Sequence, residues 1–239
     1  LLRYGIPTFK YEKLRLDERI NQLIQEGVRF ECGIEVGKDI SFEQLMIEYS
    51  LIGLTVGAEE PRDLPLPGRN LKGIHLAMEY LVPTPEHQVN AQGKKVIVIG
   101  GGDTGSDCVG TALRQGAKNV LQLEVMPRPP KDRSPQTPWP QWPMKLRTSH
   151  AHEEGGQREW SVLTQEFLAN DKDEVRALRV TDISSEGPHK GEISLISREL
   201  PTNLIILALG FLGPRFSSIL NELPSLSIGT EKRFLTNPK

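Results

Sequence analysis

Gly100, Gly102 and Gly105 stand in the spacing Gly-x-Gly-x-x-Gly, directly after the apolar run Val96-Ile97-Val98-Ile99 and at the start of a stretch with helical apolar spacing. Between a strand and a helix this spacing has a mechanism. The first glycine permits a tight turn, the second lets the backbone approach a pyrophosphate, and the third lets helix and strand pack closely. The N–H groups of the first helical turn, around Asp103, Thr104 and Gly105, would face the phosphates at the positive end of the helix dipole, with Gly101 completing the turn. Asp103 reads as a helix cap rather than a catalytic acid. Glu124 closes a second strand, Asn119 to Glu124, about 20 residues beyond the motif, where a carboxylate can accept hydrogen bonds from an adenosine ribose and repel a 2′-phosphate. Val125, Met126 and Pro127 occupy the places where an arginine pair would grip NADPH. NADH is therefore favoured over NADPH, and Arg128 is the feature that points the other way.

Other chemistries find little support. His150 and His152 lie near Glu153 and Glu154 without the helical spacing of a zinc site, and no Gly-x-Ser-x-Gly nucleophile elbow occurs. These histidines read as surface or loop-packing residues, and no metal ligand set is assigned. Cys32 and Cys108, the two cysteines, form neither a CxxC pair nor a disulfide framework, which fits a reducing, cytoplasmic compartment. With 29 Lys and Arg against 31 Asp and Glu the net charge is -2, which leaves no cationic surplus for nucleic acid. The longest apolar run, Leu204 to Leu212, falls far short of the roughly 20 residues that cross a bilayer.

The elements that must position the glycine turn follow from periodicity. Leu16, Ile20, Leu23 and Ile24 predict a helix over about 17–26 capped by Gly27. Val28, Phe30, Cys32, Ile34 and Val36 alternate as a strand with one wet face, which makes Cys32 a core residue. Ser41-Phe42-Glu43-Gln44 matches a capping box ahead of a short helix, and Leu51 to Val56 reads as a buried strand ending at Gly57-Ala58. Prolines and glycines from Pro61 to Gly73 describe an ordered linker before a helical stretch at 75–81. The strand–turn–helix–strand unit over 95–124 has the length of a parallel crossover. The Pro- and Trp-rich stretch 127–143 predicts an extended loop with Trp139 and Trp142 packed inside it. Beyond it, 159–167 looks helical, 175–183 and 193–196 look like antiparallel strands, and Leu204 to Gly210 is one more buried strand. The fold class is α/β, a Rossmann-like nicotinamide-binding domain at 74–203 inserted between flavin-domain segments at 1–73 and 204–239. Gly57 and Gly210, at the ends of apolar strands flanking the glycine unit, resemble the small residues that pass close to cofactors in two-dinucleotide flavoproteins.

Several further stretches carry a family resemblance. Leu1-Leu2-Arg3-Tyr4-Gly5-Ile6-Pro7, Pro61-Arg62-Asp63-Leu64-Pro65-Leu66-Pro67-Gly68, Gly100 to Cys108, Leu123-Glu124-Val125-Met126-Pro127 and Pro138-Trp139-Pro140-Gln141-Trp142-Pro143, in this order, resemble the small (beta) subunit of glutamate synthase or the equivalent C-terminal region of the NADH-dependent single-chain enzyme. The resemblance covers nearly the whole chain. It implies a fragment that passes electrons from NAD(P)H to FAD. From there they pass through iron–sulfur clusters to the FMN of a large-subunit partner, where L-glutamine and 2-oxoglutarate become glutamate. Hydride transfer from nicotinamide to flavin needs placement of two rings more than a protein acid or base, so no catalytic residue is named. The cysteine-rich cluster domain and the first and last flavin motifs of that family have no counterpart in these residues, which implies a largely incomplete FAD site. Thr55-Val56-Gly57-Ala58 departs from the family's Ala-Thr-Gly-Ala and lacks its hydroxyl. The alternatives are the electron-input region of a dihydropyrimidine dehydrogenase-like enzyme, for which an arginine pair after Leu123 is expected, and a non-catalytic docking module built on the Pro/Trp segment.

Overall fold

The computed structural model describes residues 2–85, 88–135, 137–184 and 191–214, with a short strand pair at 227–228 and 234–235. The regular elements begin with α1 (Lys13–Gln25), α2 (Phe42–Glu48), β1 (Glu60–Pro61), β2 (Ile74–Leu76), α3 (Ala77–Leu81), β3 (Lys95–Ile99), α4 (Asp103–Arg114) and β4 (Asn119–Glu124). They continue with α5 (His150–Glu153), β5 (Gln157–Trp160), β6 (Val162–Ala169), β7 (Val175–Ile183), β8 (Ile193–Pro201), β9 (Leu204–Leu207), β10 (Phe211–Gly213), β11 (Ser227–Ile228) and β12 (Phe234–Leu235). Two compact units result, one of Leu1–Tyr11 with Asp63–Leu209, the other of Glu12–Arg62 with Gly210–Lys239.

The larger unit is built on a five-stranded sheet in the order β2-β9-β3-β4-β5, with every pairing parallel. Its central strands read as unbroken apolar runs because both faces are covered. Val96, Val98, Val120, Leu204 and Ile206 turn to one side and pack on α3 and α4 through Tyr80, Leu81, Cys108, Val109 and Ala112. Ile97, Ile99, Leu121, Leu123, Ile205 and Leu207 turn to the other and meet Phe167, Val175, Leu178 and Val180 of the antiparallel sheet β6-β7-β8. Residues 2–11 join this unit against α4. The Arg114 guanidinium lies 4.2 Å over the Phe9 ring, and Lys10 pairs with Asp107. The unit boundaries differ from the expected 74–203, since β9 is an interior strand of the sheet rather than the start of another segment.

In the smaller unit α1 ends in a Schellman motif, with the Gly27 N–H (φ +94°) donating to the Ile24 carbonyl and Val28 to Leu23. The Ser41/Gln44 capping box starts α2 as predicted. Two expected strands do not form. Residues 28–36 contribute only a single bridge from Val36 to Ile40, Cys32 is exposed rather than core, and Leu51 to Val56 is irregular with Leu51 88% exposed. Alternation selects a face but not a partner, and among the described residues no strand lies alongside either stretch to complete a ladder. The helix expected at 159–167 is instead the end of β5 and most of β6. Pairing with β4 and β7 outweighs the i, i+3, i+4 spacing of the apolar residues, and Ser161 at φ +59° turns the chain from one sheet to the other. The 127–143 excursion has no regular element among its described residues, but its tryptophans are outside, Trp139 83% and Trp142 75% exposed.

Candidate functional site

β3 runs into the glycine turn and α4 leaves it, as the spacing requires. Gly100 has φ +122°, and a Cβ there would lie 2.2 Å from the Ala208 carbonyl oxygen at the end of β9. A Cβ on Gly105 would lie 2.3 Å from the Gly100 carbonyl oxygen, so helix and turn meet with no room for a side chain. Gly102 is different: nothing lies within 4 Å of its Cβ position. The three glycines thus divide into two that the fold needs and one that leaves space open. Gly102, not Asp103, is the N-cap of α4, and no side chain caps the helix, which leaves the first-turn N–H groups of Asp103, Thr104 and Gly105 available to an anion. Asp103 is an exposed first-turn residue.

Glu124 ends β4 beside the turn. Its Oε2 accepts from the Gly101 N–H at 2.7 Å and its Oε1 from the Met126 N–H at 3.1 Å. Behind it on the same strand sits Gln122, only 2% exposed, which the sequence reading passed over. Its Nε2 donates to the Gly100 carbonyl at 2.7 Å, and its Oε1 lies 2.8 Å from His152 Nε2. Burial, with Arg158 and Lys10 nearby, pulls the His152 pKa down to about 4, so the ring is neutral at ordinary pH. His150 is an exposed side chain facing Glu153 at 3.5 Å. Among the described residues no cluster of His, Cys, Asp and Glu could hold a metal ion.

A cleft of about 320 Å³ opens over the turn. Gly101, Gly102, Asp103, Ser106 and Glu124 form its floor, and Lys145, Arg147, Arg158, Trp142 and Trp160 stand among its walls. Arg128 and Arg158 both lie about 5 Å from the centre of the Trp160 ring, at 5.0 and 4.9 Å, and Arg147 lies 3.9 Å over Trp142. Burial and the neighbouring Arg128 charge lower the Arg158 pKa. Gly101, Gly102, Asp103 and Glu124 of the predicted set therefore meet in one cleft, with Gly100, Thr104 and Gly105 shaping the turn beneath. Gly57 (φ +69°) and Gly210 (φ +81°) belong to the smaller unit and are not among the cleft-lining residues. Of the cationic and aromatic wall, Trp142 lies in the Pro138–Pro143 stretch, whereas Lys145, Arg147, Arg158 and Trp160 belong to no motif. For those four the sequence offers only composition, the cationic and aromatic residues scattered through 145–160.

A parallel sheet with a glycine turn, an uncapped helix start and an acid ending the next strand defines a Rossmann-like α/β domain. The fold matches that of FprA from Mycobacterium tuberculosis in complex with NADPH, with a TM-score of 0.64 at 14% identity over 96% of this chain and 63% of that one. No protein-family model matches the chain. Among curated proteins it is 45% identical over 236 residues to the small chain of NADPH glutamate synthase from Mycobacterium tuberculosis, covering 93% of this chain and 48% of that protein. It is 42% identical over 237 residues to the NADH glutamate synthase of Schizosaccharomyces pombe, covering 90% of this chain and 11% of that protein. The chain is thus a relative of the glutamate synthase small chains, as its motifs implied, and it spans about half the length of the small chains it matches.

Proposed function

We propose that the chain is the pyridine-nucleotide-binding part of a glutamate synthase electron-input oxidoreductase. It would take hydride from NAD(P)H toward FAD for reductive glutamate synthesis, in a cytoplasmic complex with a large subunit or domain. The observation that carries the reading is the open, uncapped turn from Gly100 to Gly105 over α4, which suits a pyrophosphate by both space and dipole. The nicotinamide supplies the hydride when bound. The chain's own work is to bind and orient: first-turn N–H groups on the pyrophosphate, Glu124 beside the ribose, and the Trp142 and Trp160 side excluding water. No side chain is assigned a proton-transfer step. Gly57 and Gly210 are proposed as points of close approach to flavin, since neither has an atom within 4 Å of its Cβ position.

Glu124 supports NADH as the preferred donor, because a carboxylate at the strand end repels a 2′-phosphate. A second reading, NADPH, is favoured by the Arg128–Trp160–Arg158 stack and by Lys145 and Arg147 beside the cleft. Calorimetric titration with NADH and NADPH, with and without FAD, separates the two. Binding of NADH at least tenfold tighter supports the Glu124 reading, the reverse order supports the arginine reading, and binding of neither refutes the proposed function.

A further inference from the structure

Gln122 is a fully buried amide in a strand otherwise made for a core, between Leu121 and Leu123. Gln122 and Glu124 are two residues apart on β4, so their side chains leave the same face of the sheet. Both reach the same peptide unit. Gln122 Nε2 donates to the Gly100 carbonyl at 2.7 Å, while Glu124 Oε2 accepts the Gly101 N–H at 2.7 Å. One peptide plane, the first of the glycine turn, is thus held at its oxygen and at its nitrogen by one strand.

We propose that Gln122 is a positioning residue for nucleotide binding, that with Glu124 it clamps the Gly100–Gly101 peptide in the orientation an incoming pyrophosphate needs, and that His152 holds Gln122 in that role. The inference rests on the nucleotide reading above and deepens it. The direction of each bond follows from the last. A carbonyl can only accept, so the Gln122 amide must point its NH2 at Gly100 and its oxygen at His152. The His152 Nε2 must then carry the proton, and in a neutral ring Nδ1 is left as an acceptor. Ser149 supplies it with a backbone N–H at 3.3 Å and a hydroxyl at 3.1 Å. With its own proton committed, the Ser149 hydroxyl accepts from Ser106, 2.5 Å away on the first full turn of α4. The Ser106 N–H donates in turn to the Gly102 carbonyl at 3.0 Å. The chain of bonds begins at Gly100 and returns to Gly102, so it closes around the turn.

A flip of the clamped peptide would aim the Gly100 carbonyl toward the anion site. Nothing in the turn itself prevents a flip, because glycines on both sides of the plane leave it free to rotate. The restraint therefore comes from the strand and from α5. Charges facing His152 from outside its own helix are Arg158 and Lys10, both cationic, and they oppose protonation of the ring. His150, Glu153 and Glu154 are its titratable neighbours on α5 and its cap.

The test measures NADH and NADPH dissociation constants, melting curves and amide exchange at Gly101 in Gln122→Met, His152→Leu and His152→Gln. Gln122→Met fills the same volume without a donor. His152→Gln keeps a donor near Nε2 and serves as the conservative rescue. Expected are affinity losses of at least tenfold in Gln122→Met and at least threefold in His152→Leu, recovery to within threefold of wild type in His152→Gln, and faster Gly101 exchange in the first two. A purely structural role would lower the melting temperature while leaving the folded protein's affinity and the Gly101 amide unchanged, and that result overturns the proposal. Should Gln122→Met fail to fold, the His152 pair decides on the same criteria. If wild type binds nucleotide and the variants match it, the clamp alone is refuted. If wild type protects Gly101 yet binds neither nucleotide, the functional reading falls, and with it the clamp's role in binding.

Discussion

Replacing Gly102 by valine separates binding from folding more cleanly than any other change in the turn. Gly102 has φ -77° and ψ -177°, a conformation open to any residue, and its Cβ position has no atom within 4 Å. The fold therefore loses only the preference for glycine over valine at an N-cap, about 1 kcal/mol. In a protein of this size that lowers the melting temperature by about 2–4 °C. The valine methyl groups enter the floor of the cleft. Displacing a pyrophosphate from even one or two first-turn N–H groups forfeits charge-assisted bonds worth about 1.5–3 kcal/mol each, or a tenfold to more than hundredfold loss of affinity. Gly105→Ala is the counterpart. Its Cβ would sit 2.3 Å from the Gly100 oxygen and 2.8 Å from Gln122 Nε2, so backbone must part by about 1 Å, an overpacking strain of about 1–3 kcal/mol. Isothermal titration with both nucleotides, run beside scanning calorimetry, reads the two effects. Unchanged nucleotide affinity in Gly102→Val would refute the reasoning, and so would a melting temperature that falls further than that of Gly105→Ala.

Glu124→Ala combined with Val125→Arg is expected to weaken NADH about tenfold and to shift preference toward NADPH, since it removes a charge-assisted acceptor and adds a guanidinium at an exposed position; parallel titrations of both nucleotides check it. His152 should make stability fall as pH drops. Its folded pKa of about 4 lies below the ordinary 6.5, so between those values the unfolded chain takes up a proton that the folded chain refuses. Melting temperatures measured from pH 7 to pH 4 should therefore decline more steeply in wild type than in His152→Gln, and parallel slopes would contradict the assignment. Finally, Cys32 is exposed whereas Cys108 is buried with its thiol pushed far up, so a thiol reagent at pH 8 should label one cysteine in the native protein and two in guanidinium.

The strand–turn–helix–strand core of the site was legible because each of its signals is local. An unbroken Val/Ile run, three glycines at fixed offsets and a strand ending in Glu124 need no knowledge of distant chain. Where the structure departs from the sequence reading, a partner decides. Val28 to Val36 alternates well, yet alternation cannot supply a neighbouring strand. Glu159 to Phe167 carries helical spacing but lies beside β4 and β7, whose ladders outweigh it. Trp139 and Trp142 looked like core by residue type, and they face outward. Gln122 and His152 are 30 residues apart in the chain and meet only through the sheet and α5. The single local hint was a glutamine on an otherwise apolar strand. A buried amide in such a place is a request for partners that the linear sequence does not name.

The position of β9 bears on how the protein is made. It enters the sheet between β2 and β3, with Val96 opposite Leu204 and Ile74 opposite Ile205, so an interior strand of the sheet is the last strand of that unit to leave the ribosome. Until then the growing chain carries the β3–β4 pair with one apolar edge open. Such long-range pairing slows folding, and an open edge invites association with other chains. Nascent chains stalled before residue 204 should therefore be protease-sensitive and chaperone-bound, while those carrying β9 clear of the exit tunnel should not. The nucleotide turn, whose first glycine leans on Ala208, would take its working shape only at that late moment of synthesis.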